Sequence, residues 1–252
     1  MTSIEALLPA IGLGVIRPAL VFVALPLAGL RPLPASLQAA LALAIAVFVL
    51  PATGPLSPAT PPDVVILAAL NEALTGLAIG LALAAAIAGA RAAGEVIGVA
   101  MGLGFSSLID PLHGTAVPTV GQFLALVSVA LFMALDGPIV VIRLVADSYA
   151  AVPVGQFIGT GAIAGLNEAM IGLFRAALGL ALPVLVATLG VQIGLAALAR
   201  IAPQLNLFAI GFPATLIVGL IVLALALPVM RVTLTEQWGA AFGHAARVLG
   251  AP

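Results

Sequence analysis

Three groups of residues have the types and spacing that chemistry would need. The first is the tract Phe105-Ser106-Ser107-Leu108-Ile109-Asp110-Pro111-Leu112-His113, where an acid and an imidazole lie three positions apart beside two hydroxyls. A metal centre needs three or four protein ligands, and the chain has two histidines and no HExxH pattern. The absence of cysteine removes thiolate ligands, disulfides and thiol nucleophiles. The serines sit in Gly-Phe-Ser-Ser-Leu, which lacks the glycine that closes a G-x-S-x-G nucleophile elbow. The tract therefore reads as a loop tied down by Asp110 and Pro111. No metal site and no catalytic residue is expected in it.

The second group is Arg91 and Glu95, four apart and able to pair along one helix face. Two readings stay open for them: a structural pair, or polar residues facing a junction between subunits. The third is Glu168 and Arg175, seven apart, on one helix face but two turns from each other and too distant to pair. Their partners are expected on other helices or other subunits, with Glu72 as one candidate. A buried cation without a partner is costly, so Arg175 needs either a counter-ion or water. The glycines Gly94, Gly98 and Gly102 recur at helical spacing and form a double small-xxx-small tract. That pattern lets helix backbones approach closely. It is not a nucleotide loop, because neither a strand–turn–helix context nor a basic residue accompanies it.

The elements that position these groups are helices bathed in an apolar medium. The 252 residues are 63% hydrophobic and only 7% charged, with a mean hydropathy of +1.34. A water-soluble domain carries about a quarter charged residues, so most of this chain faces lipid or apolar protein. The net charge of −1 leaves no basic footprint for nucleic acid. The expected helical regions are 4–30, 35–50, 64–104, 120–145, 166–200 and 209–230, followed by an amphipathic helix over 232–249 with Trp238 as an interfacial anchor. The first region begins acidic rather than basic and is read as a retained helix, not a signal peptide. Pro9, Pro18 and Pro26 should bend it. Gly76 and Gly80 should admit a close neighbour. Asp136-Gly137-Pro138 should interrupt the fourth region, and 147–165 should be a glycine-rich connection. The fifth region is longer than a bilayer core, so it either protrudes or bends into a hairpin near Pro183. Arg31, Arg91 and Arg200 fall in one set of connections and Arg143, Arg231 and Arg247 in the other, which gives no positive-inside bias. That balance suits helices that do not thread the bilayer as independent spans.

Two stretches carry a resemblance. Arg91-Ala-Ala-Gly-Glu-Val-Ile-Gly98 runs on to Met101-Gly-Leu-Gly-Phe-Ser-Ser-Leu-Ile-Asp-Pro111, and Ala199-Arg-Ile-Ala-Pro-Gln-Leu-Asn-Leu-Phe-Ala-Ile-Gly-Phe-Pro213 follows later. Together they resemble the FliR/SctT family of flagellar and virulence type III export-gate subunits, and the length and segment order match along nearly the whole chain. Ala100, Gly104 and Pro138 stand where the family commonly has Gln, Ser and His.

The resemblance implies an all-α integral membrane protein, a single membrane domain over residues 1–252, built of Pro- and Gly-bent helical hairpins in a hetero-oligomeric channel. It implies FliP-like and FliQ-like partners, association with FlhB-like and FlhA-like export components, unfolded export substrates, an inner-membrane location and no cofactor or enzymatic chemistry. It implies that the loop 105–121, with Phe105 to His113 at its centre, plugs the pore. Arg91, Gly94, Glu95, Gly98, Met101, Gly102, Glu168, Arg175, Arg200, Pro203, Gln204, Asn206, Phe208, Gly211 and Pro213 are the candidates for subunit interfaces or tight packing. The homologous virulence gate is the alternative. A stand-alone secondary transporter is a more distant one, since no internal repeat of the kind expected there is visible. An intramembrane hydrolase would need a nucleophile–base pair or metal motif that the chain lacks.

Overall fold

The computed structural model describes residues 4–25, 34–53, 62–103, 119–159, 161–202, 204 and 207–250. The expected loop 105–118, together with Pro203 and Asn206, lies outside the described residues, as do the side chains of 207–209.

Within the described residues every regular element is a helix: α1 (Ile4–Ala24), α2 (Ala35–Thr53), α3 (Pro62–Ala100), α4 (Thr119–Ala134), α5 (Gly137–Ala151), α6 (Gly161–Ile201) and α7 (Leu207–Val248). In hydrocarbon a helix alone satisfies its backbone groups internally, which is why an apolar chain of this composition resolves into helices. Stretches Val64–Ala100, Gly161–Ile201 and Ile210–Val248 are long and apolar enough to cross a membrane. The chain is an all-α membrane protein.

The break expected at Asp136-Gly137-Pro138 is present. α4 and α5 meet there at 70°. Asp136 adopts left-handed backbone (φ 54°) and its carbonyl accepts from the N–H groups of Ile139 and Val140. Pro138 occupies the first turn of α5, where its missing N–H costs nothing. A Cβ at Gly137 would strike the Phe132 ring, so only glycine fits that corner.

Several boundaries differ from expectation: α1 ends at Ala24, α3 at Ala100, and α5 runs on to Ala151 into the expected connection 147–165. Thr119 to Gly121, expected in the loop, form the first turn of α4. α6 starts at Gly161 rather than 166 and runs unbroken through Pro183, so there is no hairpin. Gly161 and Gly165 sit inside this helix because α7 lies against them. A Cβ at Gly161 would be 3.0 Å from the Arg247 carbonyl, and one at Gly165 2.8 Å from that of His244. Close packing here outweighs a helix-propensity cost of about 1 kcal/mol per glycine. The expected helices 209–230 and 232–249 are one helix, α7. The sequence turns polar near Arg231, but neither glycine nor proline separates Met230 from Thr235, and polarity alone does not break a helix.

The helices sort into two compact units: residues 1–87, 132–172 and 238–252 form the first, and 88–131 and 173–237 the second. In the first, α1 lies on α3. A Cβ at Gly76 would collide with the Arg17 carbonyl, and one at Gly80 would stand 2.6 Å from the Ala24 Cβ. The Gly76–Gly80 pair thus does what its spacing predicts. Trp238 is fully buried there, 4.6 Å from the Phe132 ring and 5.8 Å from Phe242. Trp238 is therefore a core residue of this unit and not an interfacial anchor. The core of the second unit gathers Ile97 of α3, Met101 just after it, Leu124 of α4, Leu180 and Val184 of α6, and Leu234 of α7.

Candidate functional site

The tract that follows α3 begins in a well-packed seat of the second unit. Met101 is buried, and its side chain fills the space a Cβ at Gly219 would need, with Cγ 2.5 Å from that position. Gly102 then turns left-handed (φ 83°), a conformation glycine adopts without strain, and ends α3. The ring of Phe212 lies 3.0 Å from where a Gly102 Cβ would be. Residues 104–118 lie beyond the description, so Phe105, Ser106, Ser107, Leu108, Ile109, Asp110, Pro111, Leu112 and His113 receive no structural account. The chain returns at Thr119, and Gly94 packs on Gly121 so closely that a Cβ at Gly94 would be 2.5 Å from the Gly121 Cα.

The expected small-residue tract is thereby divided. Gly94 is a backbone contact between α3 and α4, whereas a Cβ at Gly98 would meet nothing within 4 Å. Arg91 and Glu95 pair at 3.2 Å along α3 with both side chains about half exposed. The structural-pair reading is thus present in the chain itself. Among the described residues a Cβ at Gly211 in α7 would meet only the Leu195 side chain, at 3.4 Å, and Pro213 lies within α7. Arg200 and Gln204 are exposed.

Glu168 finds its partner on another helix, as expected. It pairs with Arg247 of α7, and His244 Nε2 stands 4.0 Å from the same carboxylate oxygen. Arg175 is exposed and makes no ion pair among the described residues. Glu72 is not its partner, because Glu72 is taken by Arg17.

That pair is the densest polar site in the structure, and the sequence reading passed over Arg17. Arg17 and Glu72 are both fully buried. Arg17 Nε donates to Glu72 Oε2 at 2.8 Å and Nη2 donates to Oε1 at 2.8 Å, a two-pronged pair. Nη1 donates to Ser148 Oγ at 3.0 Å, and Nη2 also donates to the Val152 carbonyl at 2.9 Å. The guanidinium carbon lies 4.1 Å above the Tyr149 ring, in range for a cation–π contact.

Local sequence explains the arrangement. Pro18 has no N–H, so the Gly14 carbonyl one turn back loses its helical donor. The Tyr149 hydroxyl supplies one, at 2.7 Å. Gly76 lets the α1 backbone descend onto α3 and brings Arg17 level with Glu72. The signal for this site was legible: an ionisable residue inside each of two apolar helices, each needing the other.

Chemically, the described residues offer an ion pair shielded from water, a surface ion pair, and an acid–base trio at Glu168, His244 and Arg247. None places a nucleophile beside a free base, and no group of three or more His, Asp or Glu could hold a metal among the described residues. What this defines is a membrane protein of long helices packed backbone to backbone, with two of its ion pairs, Arg17–Glu72 and Glu168–Arg247, joining different helices. Residues 8–241 match the family described as bacterial export proteins, family 1. The chain belongs to that family.

Its relatives agree with the match. The chain is 38% identical over 131 residues to the flagellar biosynthetic protein FliR of Pectobacterium carotovorum subsp. carotovorum, covering 52% of this chain and 50% of that one. It is 33% identical over 131 residues to the protein of the same name from Escherichia coli (strain K12), with the same coverage. With the FliR protein of Bacillus subtilis (strain 168) it shares 29% identity over 241 residues, 92% of this chain and 91% of that one. The chain spans about half the length of the first two and nearly all of the third.

Proposed function

We propose that this chain is a subunit of the flagellar type III export gate. With FliP-like and FliQ-like subunits it forms the closed channel through which unfolded flagellar proteins cross the bacterial inner membrane, in contact with FlhB-like and FlhA-like components. Family membership and the flagellar names of the relatives support the system. The structural observation that carries the assembly is the uncovered face of α6.

Apolar side chains are exposed along that helix from Ile163 (74%) through Phe174 and Val186 to Ile193 (70%) and Ile201 (82%). At about 1.5 Å per residue this apolar exposure extends roughly 57 Å. The hydrocarbon core is about 30 Å thick, and a helix tilted by about 40° would bury only about 39 Å in it. Lipid cannot cover the remainder, so other protein must. The same reading gives no covalent chemistry to the chain and assigns pore closure to the loop 105–117, whose polar backbone needs a shielded, hydrated place.

Two outcomes test this. Extracted from membranes in mild detergent, the tagged chain should migrate as one complex with FliP-like and FliQ-like subunits. A stable, monodisperse monomer would instead support a stand-alone transporter. Deletion of residues 105–117, which spares the Gly94–Gly121 contact, should leave that complex assembled while small solutes leak through it. A tight, non-leaking deletion complex would sink the plug assignment and leave the subunit assignment standing.

A further inference from the structure

The geometry assigns Arg17 and Glu72 a role as a hydrogen-bonding clamp on the non-helical connection between α5 and α6, one that replaces a backbone partner this connection lacks. A buried ion pair often serves as a register device, and replacing both partners by apolar residues is then neutral or stabilising. Here the register is already fixed without it. The α1 backbone rests on Gly76 and Gly80, the two positions where α3 has no side chain to obstruct it. Sliding α1 by one turn would bring it onto the Ala84 methyl or the Glu72 side chain instead.

What the pair does instead is meet a backbone carbonyl that has no other partner in view. α5 ends at Ala151, and Val152 leaves the helix at φ −129° and ψ 88°. Its N–H still bonds Ser148, but its carbonyl points out of the helix and accepts from Arg17 Nη2 at 2.9 Å. Pro153 follows and can donate nothing. Gly155 is left-handed (φ 85°). Ser148 Oγ, which accepts from Arg17, itself donates to the Val145 carbonyl in the last turns of α5 at 2.6 Å. Thus the guanidinium holds the end of α5 at Ser148 and the start of the turn at Val152, and Glu72 holds the guanidinium in place. The Tyr149 hydroxyl meets the Gly14 carbonyl in the same way, so two carbonyls that no helix satisfies, Gly14 and Val152, are both met by this cluster. Non-helical backbone in apolar surroundings persists only when such partners are provided.

The clamp reading separates from a simple ion pair in the full-length chain held in lipid nanodiscs. Two double variants are compared by backbone hydrogen exchange over residues 152–159, with α3 as the internal reference. Arg17→Gln with Glu72→Gln keeps a donor and an acceptor but no charge. Arg17→Met with Glu72→Met keeps volume but no polar group. The glutamine pair should leave exchange at 152–159 unchanged, whereas the methionine pair should accelerate it roughly tenfold or more while α3 stays protected. Unchanged exchange in the methionine pair would overturn the clamp. So would equal acceleration in both pairs, which would make charge the essential feature. If the methionine pair does not accumulate, the charge-neutral glutamine pair alone decides: protection of 152–159 kept supports the clamp, and protection lost overturns it.

Discussion

Glu72→Ala should be among the most damaging single substitutions in the first helical unit. It strands the Arg17 guanidinium, which is fully buried and whose Nε and Nη2 both donate to the lost carboxylate at 2.8 Å. Breaking a buried pair by removing one partner costs about 3–5 kcal/mol, because the remaining charge stays desolvated. Against a total stability of about 5–15 kcal/mol, that is a large share. The thermal midpoint of the detergent-solubilised chain should drop sharply, and its steady-state level in membranes should fall with it. The control is Glu95→Ala. Glu95 pairs with Arg91 along the surface of α3 with both side chains about half exposed, so its loss should cost at most about 0.5 kcal/mol. Equal behaviour of the two variants would show that the buried network contributes nothing to stability.

The contrast between those pairs also marks what the sequence could and could not tell. The Arg91–Glu95 pair was legible because it is local. Residues four apart on one helix meet whatever the rest of the chain does. The same holds for the corner at Asp136-Gly137-Pro138 and for the close approach at Gly76 and Gly80, where the residue types leave the backbone few choices. Arg17 and Glu72 meet across 55 positions, Glu168 and Arg247 across 79. Such pairings depend on which helices become neighbours, and an apolar sequence with little amphipathic patterning does not encode that visibly. Glu168 looks beyond its own helix, as its spacing predicts, whereas Glu72 pairs with Arg17 and not with Arg175.

Composition misled in a different way. Glycines at 161 and 165 suggested a loop, yet they are the positions where α6 touches the backbone of α7. The rise in polarity after Arg231 suggested a new, surface-lying helix, yet α7 simply continues. At the glycines a local preference of about 1 kcal/mol per residue is overridden by tertiary packing, whereas after Arg231 no residue breaks the helix.

The last turns of α7 show how far that override reaches, and Trp238→Ala measures it. As an interfacial anchor Trp238 would sit half in lipid headgroups, and its loss would be tolerated. As a core residue it occupies a ring cluster with Phe132 at 4.6 Å and Phe242 at 5.8 Å, and nothing of it is exposed. Truncating a buried tryptophan to alanine costs about 3–5 kcal/mol, from lost transfer energy and the cavity left behind. The damage should extend to the α4–α5 corner, because Phe132 lies between Trp238 and the glycine that forms the corner, Gly137. Trp238→Phe keeps part of the ring contact and should retain a clearly larger fraction of folded protein than Trp238→Ala. A thermal midpoint for Trp238→Ala within about a degree of the parent, far less than the roughly 2–4 °C per kcal/mol expected for a chain of this size, would return the residue to the membrane surface. The expected large loss would instead make the polar C-terminal stretch, which the sequence sets apart from the rest, part of what closes the first unit: its Trp238 fills the core while its Arg247 holds Glu168 of α6.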